Sequence, residues 1–110
     1  MRIYNIILNT PLGKKTGELK AKIENGKLHG TLSLLGRTEE ISGTVDDEGN
    51  CSINWKFITL LKTIDFTADG TINWDGIRLN VMGGGTMYDM IGALRHQDEI
   101  KELERKEQGE

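Results

Sequence analysis

Two histidines, one cysteine, a run of three carboxylates and a triple glycine are the residues of this 110-residue chain most suggestive of chemistry. His29 shares a face with Thr31 and Ser33, and His96 lies in a charged C-terminal stretch. Neither has a companion at ligand spacing, so no zinc site is expected and His29 reads as a surface histidine. Cys51 has the same parity as Ile53 and Trp55. A thiol buried among such side chains behaves as a small hydrophobe with a raised pKa, the opposite of an activated nucleophile. Asp46, Asp47 and Glu48 crowd one turn without the spacing of a calcium loop. Gly83-Gly84-Gly85-Thr86 lacks the Lys-Ser/Thr and the following helix that a phosphate-binding loop requires. No catalytic residue, metal ligand or cofactor is therefore expected. An enzyme has the least support, although isolated Tyr, Asp and Trp residues can serve some enzymatic barrels.

Two apolar sets remain. Tyr4, Trp55, Phe57, Phe66, Trp74, Tyr88 and Met90 share the inward parity of their segments. They either line a cavity for a planar or apolar small molecule or fill an interior too narrow to be hollow. With aromatics only 5% of the chain, core packing alone would occupy them. The second set is the run Phe57-Ile58-Thr59-Leu60-Leu61 at an expected hairpin. Turn residues are usually polar, so Ile58, Leu60 and Leu61 need a cover. They would cap one end, form a lid, or supply a patch for a homodimer, with Ile3, Ile7, Met87 and Ile91 as outward apolar neighbours.

The elements that must position these residues follow a period of two, punctuated by glycine turns. Strands are expected over 2–9, 16–24, 27–35, 38–46, 51–57, 63–74, 77–82 and 86–93. Leu19, Ala21 and Ile23 against Glu18, Lys20, Lys22 and Glu24 give the clearest half-buried pattern. Asn25-Gly26 is the strongest hairpin signal, because both residues tolerate positive φ. Asp69-Gly70 could split 63–74 into two strands. A single long strand is preferred, since the split leaves a piece of only about five residues. Short connections make sequential strands antiparallel neighbours. Residues 1–94 are read as one β domain, and 95–110 as a charged tail, either disordered or a short helix.

Composition bounds the partners. A net charge of −3 with interleaved Lys and Glu on the first hairpin argues against nucleic acid. One cysteine permits no intrachain disulfide and fits a reducing, cytoplasmic setting. The apolar N-terminal residues 1–8 are too few for a secretory signal, nothing approaches transmembrane length, and no membrane partner is expected.

Inward glycines decide between an open sheet and a closed one. Gly17, Gly30, Gly43, Gly70 and Gly92 all fall on the core side, where glycine weakens a strand unless coiling demands it. Closure also removes exposed edges. The expected fold is all-β, an eight-stranded antiparallel up-and-down meander closing into a small barrel. Strand count, short hairpins and inward glycines over residues 2–93 resemble the calycin-like group of lipocalins, fatty-acid-binding proteins and avidins. Residues 1–10 hold neither Gly nor Trp, so the Gly-x-Trp of lipocalins is absent. The resemblance implies a non-enzymatic barrel with a small apolar or planar ligand inside. The alternative is an interaction module with a filled core that self-associates through its apolar hairpin.

Overall fold

Alternating side chains and glycine turns produce eight strands: β1 (Arg2–Thr10), β2 (Gly13–Glu24), β3 (Lys27–Leu34), β4 (Arg37–Val45), β5 (Asn50–Ile58), β6 (Thr63–Ile72), β7 (Gly76–Gly83) and β8 (Thr86–Leu94). The structure, a computed structural model, describes residues 1–58 and 60–95. Most of the expected tail, including His96, lies outside the described residues. Each strand pairs antiparallel with the next, and β8 returns to β1 through Tyr4↔Leu94 to Asn9↔Asp89. The sheet is thus a closed barrel in strict sequence order.

Turn chemistry fixes the registers. Asn25 and Gly26 take φ of 53° and 78°, the left-handed pair that a two-residue hairpin needs. This sets Glu24 opposite Lys27 and carries the register to Gly17 opposite Leu34. A one-residue slip would turn Leu19 and Ala21 out to water. Burying a large aliphatic side chain contributes about 1.5–3 kcal/mol, so the slip is strongly disfavoured. At the next turn, the Asp46 carboxylate accepts hydrogen bonds from the Glu48 and Asn50 amides, both at 2.9 Å, and from the Asn50 side chain at 3.0 Å. The Asn50 side chain first, then the backbone amides, hold its pKa below the usual carboxylate range. Asp46 organises this turn as well as solvating it.

The inward parity forms the core, which includes Tyr4, Ile6, Leu19, Leu28, Ile53, Ile72 and Met90. Two glycines show why the strands coil so tightly. A Cβ on Gly30 would strike the carbonyl oxygen of Lys20 on β2, and one on Gly43 that of Ser52 on β5. Only a residue without a side chain permits this approach.

β6 is one strand, but it stops at Ile72, and here the expectation for 63–74 needs correction. Asn73, Trp74 and Asp75 form the turn to β7, where the Asn73 amide donates to Gly76 O at 2.9 Å. Alternation cannot persist through a turn, and Trp74 is 60% exposed rather than inward.

Antiparallel order sorts the turns to two ends. The connections at 11–12, 35–36, 60–62 and 84–85 surround one end, the mouth. Those at 25–26, 46–49 and 73–75 surround the other, the base, together with Arg2 and Arg95. The wall has a seam: β4 and β5 pair only from Ser42↔Asn54 to Val45↔Cys51. Toward the mouth, Arg37–Ile41 and Trp55–Ile58 diverge without a ladder between them.

Candidate functional site

The base half of the interior is packed. Tyr4, Leu28, Ile53, Ile72 and Ile77 are buried there. The Tyr4 hydroxyl donates to Asn73 O at 2.8 Å, tying β1 to the β6–β7 turn. Burial pushes the Tyr4 pKa up, partly offset by the Arg2 guanidinium beside it. That guanidinium also lies 3.7 Å from the centre of the Trp74 ring, outside the barrel. Of the seven interior candidates, Tyr4 and Trp74 therefore belong to the base, where they help close it.

The mouth half holds a cavity of about 460 Å³. Trp55, Phe57, Phe66, Tyr88 and Met90 all border it, as do Leu8, Leu32 and Val81. Trp55 and Phe66 are cross-strand partners with rings stacked at 5.5 Å and 10°. Phe57 stands edge-on to Phe66, with centroids 6.5 Å apart and planes at 90°. One continuous aromatic surface results, apolar and half-buried.

Polar groups are few and confined to the rim. Arg37 lies over the Phe57 ring at 4.6 Å, donates to Ile58 O at 2.8 Å, and pairs with Glu39 at 3.1 Å. It thereby bridges the unzipped part of the β4–β5 seam. Lys15, on β2, also borders the cavity. Sequence reasoning missed Arg37, Glu39 and Lys15; the one available signal was Arg37 directly after the Leu35-Gly36 turn. On the outer wall a shallow groove follows the seam, and Trp55, Phe66 and Glu39 border both groove and cavity.

Ile58, Leu60 and Leu61 neither cap the barrel nor cover the cavity. Leu60 is fully exposed and Leu61 is 95% exposed, with Ile58 more than half exposed. His29 faces outward beside the seam groove. Cys51 lies buried in the core, and burial, helped by the carboxylates of Asp69 and Asp46, pushes its thiol up to about 11. Among the described residues, no group of three His, Cys, Asp or Glu side chains is placed to hold a metal ion.

These features define a closed eight-stranded meander barrel, packed at its base and open at its mouth. Among solved structures, a redesigned β-barrel, mFAP1, solved bound to DFHBI, is similar to this chain with a TM-score of 0.56. The two share 14% identity, and the match covers 86% of this chain and 92% of that one. At that identity the likeness concerns the fold. No protein-family model matches the chain, and no curated protein matches it.

Proposed function

We propose that the chain is a non-enzymatic, calycin-like barrel that binds a small apolar or planar molecule in its mouth cavity. One observation carries this reading: the inward aromatics of β5, β6 and β8 surround open space instead of filling it. The cavity volume falls within the roughly 300–1,000 Å³ of small-molecule sites, and apolar walls with a few rim polar groups are their usual composition. The similar redesigned barrel, solved with DFHBI bound, supports the reading at the level of architecture. Trp55 and Phe66 offer a stacking surface, and Arg37, Lys15 and Glu39 supply polar contacts at the opening.

The rival reading, a filled core that self-associates through Ile58, Leu60 and Leu61, retains support from their exposure but not from the interior. Fluorescence titration separates the two. Trp74→Phe leaves Trp55 as the sole indole reporter. A panel of planar aromatic compounds, DFHBI included, then produces saturable changes in Trp55 emission. Phe57→Ala weakens the best binder by roughly 2–10-fold, the worth of one aromatic contact. A panel without any saturable response, together with a Leu60-dependent dimer by light scattering, would favour the rival.

A further inference from the structure

The mouth differs from the rest of the surface in two ways. Leu12 is 89% exposed and Leu35 62%, so with Ile58, Leu60 and Leu61 the tips of three separate turns carry exposed aliphatic side chains. On the fourth hairpin, Met82 and Met87 face each other across β7 and β8, and both are exposed. Charge divides as sharply. The mouth segments 10–15, 34–38, 57–58, 60–64 and 82–87 contain Lys14, Lys15, Arg37 and Lys62 and no carboxylate. Just below them lie Glu39, ion-paired to Arg37, and Asp65, the cross-strand partner of Lys56. The base segments 1–3, 23–27, 45–50, 72–77 and 94–95 carry Arg2, Lys27 and Arg95 against Glu24, Asp46, Asp47, Glu48 and Asp75. A chain of net charge −3 thus presents a cationic, aliphatic crown at one end and an acidic surface at the other.

We propose that the mouth docks on an anionic lipid bilayer, with the leucine tips in the headgroup–acyl boundary and the barrel axis upright. Interfacial binding grows with apolar area inserted and with Lys and Arg held near anionic headgroups, and this crown combines the two. The tips are aliphatic and sit on different turns. A fluid acyl layer accommodates such points, whereas protein interfaces centre on packed aromatic and Arg anchors. A second copy seated mouth to mouth would oppose four cations with four more. Docking requires no spanning segment, and no helix among the described residues is long and apolar enough to cross a membrane. Segment length alone gave no sign of a membrane partner, and these leucines and cations, scattered over some fifty residues, converge only on folding. The proposal goes beyond ligand binding and does not depend on an occupied cavity.

Vesicle sedimentation with the full chain tests it, using phosphatidylcholine alone and phosphatidylcholine with roughly one-third phosphatidylglycerol to give a negative surface. Expected is binding to the mixed vesicles that falls as salt is raised, with little binding to the neutral ones. Leu60→Ser with Leu61→Ser, and separately Lys14→Glu with Lys15→Glu, each lower partitioning by about tenfold or more. Lys22→Glu with Lys27→Glu, the same charge change away from the mouth, retains binding. Near-UV dichroism confirms that each variant is folded. Absence of binding, equal binding to both vesicle types, or equal loss from both charge reversals would overturn the proposal. So would a Leu60-dependent dimer that ignores vesicles.

Discussion

Tyr4 and Cys51 show how single side chains in the packed half set stability. Tyr4 places a hydroxyl at the one point where the β6–β7 turn offers it a carbonyl, that of Asn73. Tyr4→Phe keeps the buried ring and removes the hydrogen bond, so chemical denaturation should show a loss of about 1 kcal/mol. An unchanged midpoint would mean that the hydroxyl contributes nothing to closing the base. Cys51 makes stability depend on pH in the alkaline range. An ordinary thiol ionises near 9, whereas burial holds the folded thiol protonated up to about 11. Between those values the unfolded chain has already lost the proton and the native state still binds it, so stability falls as pH rises. The stability difference between the parent and Cys51→Ala is therefore expected to shift against the parent from pH 9 to about 11 and to stay flat below pH 9. A difference independent of pH across that range would contradict the burial of the thiol.

At the level of strands, the inward glycines are what let eight short segments close. Gly43 lies against the Ser52 carbonyl of β5, at the last stretch where β4 and β5 remain paired. Gly43→Ala has no space for its methyl group and must push the two strands apart. The cost expected from thermal melts is about 1–3 kcal/mol, the usual range for overpacking, and the seam should widen. A neutral substitution would show that coiling does not depend on that glycine. These strands were legible in the sequence because side-chain parity is a local property: Leu19, Ala21 and Ile23 declare their side within a few residues. Trp74 was misplaced because parity says nothing about where a strand stops, and Asn73-Trp74-Asp75 had the same spacing as the strand before it. The seam was invisible for a different reason. Where β4 and β5 part depends on how both strands twist around the whole barrel, and no local pattern encodes it. The rim groups Arg37, Lys15 and Glu39 became recognisable only once the mouth had been assembled from four turns.

For the molecule as a whole, the question of a hollow or a filled interior divides along the barrel axis. Toward the base, Tyr4, Leu28, Ile53, Ile72 and Ile77 close the core. Toward the mouth, β4 and β5 separate, and the aromatics of β5, β6 and β8 stand around open space. A packed half gives the stability that a small domain needs, and it leaves the other half open. The most direct test is mapping of amide and indole chemical shifts while the best planar ligand is titrated in. Shifts should concentrate at Trp55, Phe57, Phe66, Tyr88 and Met90 and leave the Trp74 indole and the Tyr4 region unmoved. Perturbations centred on Trp74 and the base, or spread evenly over the surface, would contradict a binding site in the mouth.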